Sequence, residues 1–121
     1  MANSAAYNRI KRDILAMTSS IPAGSVSTYK SLAGHIDVVP RHVAYILATL
    51  DDTERALIPW HRVVSDGGAI STANKARAHD QVVRLTAEGV IPDQQRKIIN
   101  FAQVFVEAGA LDSGVELQRR L

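Results

Sequence analysis

Ser27-Thr28-Tyr29-Lys30-Ser31-Leu32-Ala33-Gly34, followed after a short gap by Val38-Val39-Pro40-Arg41-His42-Val43-Ala44-Tyr45-Ile46-Leu47, is the stretch on which the fold turns. Ser27 or Thr28 suits the side-chain cap of a brief helix carrying Tyr29, Leu32 and Ala33, and Gly34 is a favoured stop. Pro40 fits the first turn of a following helix, where its missing N–H costs nothing. In that helix Val43, Ile46, Leu47 and Leu50 fall at i, i+3, i+4 and i+7, which makes one side apolar. Arg41, His42 and Tyr45 come out on its other sides. The two helices, parted by roughly five or six residues, read as a helix-turn-helix with a long turn.

Upstream, Tyr7, Ile10, Ile14, Met17 and Ile21 recur at helical spacing, with Asn3 or Ser4 as the cap and Pro22-Ala23-Gly24 as the end. Downstream, Asp51 to Ala56 reads as a polar loop. Val63-Val64 and Ala69-Ile70 are then expected to pair across Asp66-Gly67-Gly68 as a small hairpin, or wing. Thr72 or Asn74 caps a fourth helix that turns Ala78, Val82 and Leu85 inward and ends at Gly89. Asp93 caps a fifth, with Ile98, Phe101, Ala102 and Phe105 on its apolar face before Gly109; Leu111 to Leu121 shows no pattern and closes on Arg119-Arg120. The expected fold is mainly α: a winged-helix-like DNA-binding domain, built of a helix-turn-helix and a small β-hairpin wing, with an extra C-terminal helix. The expected division is residues 1–91 for that domain and 92–121 for a helical extension packed on it.

A chain of 121 residues, 46% apolar and 21% charged, is long enough for one core. It holds no cysteine, which excludes disulfides, thiolate metal sites and a cysteine nucleophile. His35, His42, His61 and His79 lack zinc-motif spacing, so neither metal nor cofactor is expected. No apolar run approaches the ~20 residues of a membrane span, and a cytoplasmic location is expected. The net charge of +2 is uneven: Arg9, Lys11, Arg12, Lys30 and Arg41 face only Asp13 and Asp37 in the first fifty residues. That balance suits a modest phosphate-binding face, or an ordinary solvated surface.

Unusual chemistry is concentrated in Leu57-Ile58-Pro59-Trp60-His61-Arg62-Val63-Val64, which holds the only tryptophan. Pro59 stiffens the chain and pushes Ile58 toward an extended shape. A rigid bend presenting an aromatic ring, an imidazole and a guanidinium is a candidate site. On composition alone, a single Trp in a small domain reads first as a core residue.

Three runs in order — Val26 to Ala33, Pro40-Arg41-His42-Val43, and Ile58-Pro59-Trp60-His61-Arg62-Val63 — resemble the DNA-binding domain of the O6-alkylguanine-DNA alkyltransferases over residues 7–91. Those enzymes carry Pro-Cys-His-Arg, whose cysteine accepts the alkyl group. Trp60 stands at that position, the mark of the family's non-enzymatic branch, the alkyltransferase-like proteins.

The resemblance implies an unusual docking, with the second helix of the motif in the DNA minor groove. Thr28, Tyr29, Pro40, Arg41, His42, Ala44 and Tyr45 become the expected DNA-binding residues. Arg41 matches an arginine finger that fills the gap left by a flipped nucleotide, and Tyr29 a tyrosine that helps rotate the target's phosphate. Ala44 stands where the family usually has Gly. The implied lesion pocket comprises Tyr29, Trp60, His61, Arg62, Val63 and Ile70, with the Trp60 carbonyl and the Val63 N–H reading the guanine edge. His61 and Glu88 match the proton relay that activates the missing cysteine, and are expected to persist as a structural pair, with Arg62 tying the loop to nearby carbonyls. A basic residue common just after the wing is absent: Thr72 and Ala73 are uncharged, and Lys75 is the nearest cation.

The resemblance therefore implies a monomeric, nucleoid-associated protein, not an enzyme. It would bind double-stranded DNA containing O6-alkylguanine, flip the base without dealkylating it, and flag it for nucleotide excision repair proteins. The alternative is a winged-helix DNA-binding or regulatory protein with no lesion preference.

Overall fold

The computed structural model describes residues 4–118; Asn3 and the Arg119-Arg120 end lie outside the described residues. Helix α1 spans Ala5–Ser19, and the Ser4 hydroxyl accepts the Tyr7 N–H as its cap. Its inward stripe, Ile14, Met17 and then Ile21, is fully buried. Strand β1 (Ser27–Thr28) leads into α2 (Tyr29–His35), where the Thr28 hydroxyl accepts the Ser31 N–H. Helix α3 (Pro40–Ala48) starts on its proline and buries Val43, Ile46 and Leu47.

The turn between α2 and α3 is residues 36–39. The first helix runs through Gly34 to His35, because the tail of the chain holds that end: Gln118 N–H donates to the His35 carbonyl, and His35 Nε2 lies 2.7 Å from the Val115 carbonyl. The motif thus has the usual short turn rather than the longer one expected.

The expected loop at 51–56 is instead a helix, α4 (Asp52–Leu57). Asp51 and Glu54 form a reciprocal capping box, each carboxylate accepting the other residue's backbone N–H. That Asp-x-x-Glu signature was legible.

Strand β2 (Val63–Val64) pairs in parallel with β1, Ser27 against Val63 and Thr28 against Val64. The expected hairpin pairing of Val63-Val64 with Ala69-Ile70 therefore does not form. Gly67 and Gly68 take φ of 80° and 92°, and only the Ser65 N–H reaches across, to the Ala69 carbonyl. Ala69 and Ile70 find partners in the C-terminal segment, where Ile70 N–H donates to Arg96 and Ile98 N–H to Gly68. A Cβ on Gly68 would sit 2.7 Å from the Phe101 ring, so the bare glycine lets the extension close over the wing.

Helix α5 (Lys75–Ala87), capped by Asn74, turns Ala78, Gln81 and Leu85 inward. The long fifth helix does not form. The Asp93 carboxylate accepts the N–H groups of both Gln95 and Lys97, closing a turn in which Pro92 bridges Ile98. Asn100 sits in the left-handed region at φ 60°, leaving only the short α6, Phe101–Val104. The side chain of Asp93 competes with helix formation here, and the β-branched pair Ile98-Ile99 favours extension. Beyond α6 the backbone bonds to Val26 on both sides, Val26 N–H to Val104 and Val106 N–H to Val26. Phe105 packs on Phe101 with ring centroids 5.2 Å apart, and Leu111 packs on the core.

The fold is mainly helical and winged-helix-like. One buried cluster joins α1, α2, α3 and Trp60; another joins Val26, Val64, Ile70, α5 and Ile98. The turn carrying Trp60 lies where the two meet.

Candidate nucleic-acid interface and cleft

Residues Trp60–Arg62 form a single 3₁₀ turn behind Pro59. Its members point to two different surroundings. His61 and Arg62 face the end of α5, where Glu88 receives almost every donor nearby. His61 Nε2 lies 3.0 Å from Glu88 Oε2, while Arg62 donates Nε to Oε1 at 3.0 Å and Nη2 to Oε2 at 2.7 Å. The third Arg62 nitrogen donates to the Ile21 carbonyl at 2.8 Å, and the Gly24 N–H reaches Glu88 at 3.4 Å. The Arg62 guanidinium, with help from His61 and against burial, holds the Glu88 carboxyl at about 2, below its ordinary 4.5. Burial pushes the His61 imidazole below its ordinary range against the opposing pull of Glu88. Neutral His61 then donates through Nε2, and its buried Nδ1 has no partner among the described residues.

Gln81 completes this brace. Its buried side-chain amide donates to the carbonyls of His61 and Val63, at 3.1 and 3.0 Å. It was overlooked in the sequence, although it falls in the inward stripe of α5 between Ala78 and Leu85, where a polar residue signals a buried hydrogen-bonding task.

Trp60 faces the other way. It is 4% exposed, and its Nε1 has no acceptor among the described residues. Two guanidiniums lie over its ring, Arg55 from α4 at 5.1 Å and Arg84 from α5 at 5.6 Å, within cation–π range. Its accessible edge belongs to a cleft walled by Tyr29, Ala44, Leu47, Ser71, Asn74 and Arg77, with about 20 Å³ of free volume. That is room for about one water molecule, not for a purine.

Of the expected pocket residues, Tyr29 and Trp60 line the cleft. His61 and Arg62 belong to the brace, Val63 is buried in the core around α1–α3, and Ile70 in the core around α5. The two groups expected to read a guanine edge bond to each other, Val63 N–H to the Trp60 carbonyl. Of the expected DNA-binding residues, Pro40, Arg41, His42 and Tyr45 stand exposed on α3. Ala44 is half-buried and lines the cleft, which joins the exposed face of α3 to Trp60. Thr28 is 2% exposed and caps α2, so it offers no surface contact. Burial raises the pKa of the Tyr29 phenol, while Arg77 opposes the shift.

A helix-turn-helix whose exposed second helix adjoins an aromatic-walled cleft is the architecture of a nucleic-acid-binding domain. The model of the 6-O-methylguanine DNA methyltransferase DNA-binding domain matches residues 9–90. The chain belongs to that family, and with Trp60 at the acceptor position it is of the alkyltransferase-like type. Among solved structures it is similar to S. pombe Atl1 in complex with damaged DNA containing O6-carboxymethylguanine. That likeness has 25% identity and a TM-score of 0.71, over 83% of this chain and 96% of the other. It also matches S. pombe ATL in complex with DNA, at 24% identity, the same TM-score and the same coverage. No curated protein sequence matches it significantly.

Proposed function

We propose that this chain binds double-stranded DNA through α3 in the minor groove, draws O6-alkylguanine out of the stack against Trp60, and leaves it unrepaired as a mark for nucleotide excision repair. The observation that carries this reading is the placing of Trp60: the acceptor position of a dealkylase family, filled by an indole, at the wall of a cleft beside α3. Indole is not a practical alkyl acceptor and the chain has no thiol, so recognition without transfer is the chemistry left to it. On this reading Arg41, exposed at the start of α3, fills the vacated stack with a planar, permanently charged group. Extruding a base costs a few kcal/mol, which stacking and phosphate contacts must offset. The cleft must also widen, and its rim of Ser71, Asn74 and Arg77 belongs to the loop and first turn of α5. The relative's complex with damaged DNA supports the same reading. Residues 1–91 and the 92–121 extension are proposed to act as one monomeric, cytoplasmic, nucleoid-associated unit.

Affinities for matched duplexes containing O6-methylguanine or guanine test this directly. Tighter binding to the modified duplex is expected, and equal affinities would end the lesion reading. The small cleft volume favours one alternative, a winged-helix DNA-binding protein that never admits a base; its mark is sequence-specific protection that survives Arg41→Ala.

A further inference from the structure

Arg77 is a cation in the wall of the cleft with no carboxylate of its own among the described residues. It stands at the third position of α5, half-buried, with its backbone N–H donated to the Asn74 cap. Among the described residues its guanidinium makes no ion pair. The nearby Asp80 is taken by Arg84 at 3.1 Å and Glu88 by Arg62 and His61. The other arginines near Trp60 are differently occupied, Arg55 and Arg84 lying over the indole ring. The Tyr29 phenol lines the same cleft and feels the Arg77 charge, and Trp60 lines it too. A partly desolvated guanidinium in a cleft wall, with no ion pair among the described residues, awaits an acceptor-rich, negatively charged group.

We propose that Arg77 sets the lesion preference of the cleft, making it favour O6 adducts that carry a carboxylate over neutral alkyl adducts of the same size. This rests on the reading that an extruded guanine enters the cleft. The charge is supplied from α5 rather than from the loop after the wing, where Thr72 and Ala73 are neutral. A neutral adduct would leave the guanidinium partly desolvated and unpaired, whereas a carboxylate forms a charge-assisted, bidentate contact with it. A DNA phosphate is the other anion within the protein's reach, so the test must separate the two sources.

The probes are four matched duplexes carrying guanine, O6-methylguanine, O6-propylguanine or O6-carboxymethylguanine, the last two being similar in size but different in charge. Binding is measured by fluorescence anisotropy for the full chain and for Arg77→Gln and Arg77→Lys. Both variants keep a good helix former in the first turn of α5, and circular dichroism checks their fold. The expected result is about tenfold tighter binding of the carboxymethyl than of the propyl duplex, the size of one charge-assisted contact. Arg77→Gln abolishes that ratio, weakening the carboxymethyl duplex about tenfold more than the other three, while Arg77→Lys keeps part of the ratio. Equal binding of the two adducts by the unaltered chain overturns the proposal. So does an Arg77→Gln loss of the same factor on all four duplexes, which would make Arg77 a phosphate contact. If the chain discriminates O6-methylguanine from guanine yet not carboxymethyl from propyl, only the role of Arg77 fails. If it discriminates nothing, the lesion reading fails with it.

Discussion

Two neighbouring residues of one turn, Trp60 and His61, live in opposite chemical circumstances. On the His61 side nearly every polar group is matched: Glu88 takes His61, both forks of Arg62 and the Gly24 N–H, and Gln81 ties the turn's carbonyls to α5. On the Trp60 side the indole N–H lacks an acceptor and the Arg77 guanidinium makes no ion pair among the described residues. On the His61 side the buried Nδ1 of His61 is likewise without a partner among them. A buried carboxylate with several donors gives a rigid unit, because losing any partner leaves another charge stranded. An unpaired wall gives a site that prefers to be filled. His61, Arg62, Glu88 and Gln81 form a brace in this chain, and the turn that carries Trp60 is what that brace holds in place.

The largest effect is expected from breaking the brace. Glu88→Ala strands the partly buried Arg62 and should lower unfolding free energy by about 3–5 kcal/mol in urea denaturation. Lesion binding should fall only as far as the folded fraction falls. A loss under about 1 kcal/mol would mean the carboxylate is structurally idle.

Acid titration probes the same side without mutation. Both His61 and Glu88 have folded pKa values below their unfolded ones, so each contributes stability that is lost as pH falls. The unfolded chain takes up the imidazole proton first, near 6.5, and the carboxyl proton near 4.5, while folded Glu88 holds out to about 2. Melting temperature should fall from pH 7 to 5 and fall again toward pH 2, with Glu88 accounting for about 3 kcal/mol at most. A flat profile above pH 5 would contradict a buried neutral imidazole.

Trp60→Cys sharpens the other side. Removing the indole from a buried site should destabilise by about 3 kcal/mol. The new thiol, next to His61 and at the wall of the cleft, should accept a labelled alkyl group slowly from O6-methylguanine in DNA. A folded variant that binds the duplex but gains no label would place the extruded base elsewhere.

Gly68→Ala tests how the extension covers the wing. The added Cβ meets the Phe101 ring at 2.7 Å on a backbone with φ of 92°, and a loss of about 2 kcal/mol is expected. DNA affinity should be preserved, since the contact lies away from α3.

The smallest effect is that of Arg41→Ala. Arg41 is exposed, so stability should hold within about 0.5 kcal/mol. Affinity for modified DNA should drop by about tenfold, more than affinity for plain DNA, if the guanidinium fills a vacated stack.

Local rules made α1, α2, α3 and α5 readable, because each carries a capping residue or an initial proline and an apolar stripe at helical spacing. The motif order around Tyr29, Arg41 and Trp60 made the family readable too. Short helix α4 was missed although Asp51 and Glu54 announced it, since it has no buried stripe to mark it. The fifth helix failed for the opposite reason: an apolar stripe was present, but Asp93 and Asn100 close turns that compete with it.

The identity of the residue at the acceptor position, Trp60, and the lack of any thiol in the chain were settled by the sequence alone, because no packing can supply a cysteine. Which strand pairs with β2, which carboxylate Arg62 finds and which cation stands in the cleft are relations between residues far apart in the chain. Arg62 reaches Glu88 across 26 positions, and Val63 pairs with Ser27 across 36. Neither spacing carries a periodic signal, so only the closing of the two cores onto one turn decided them.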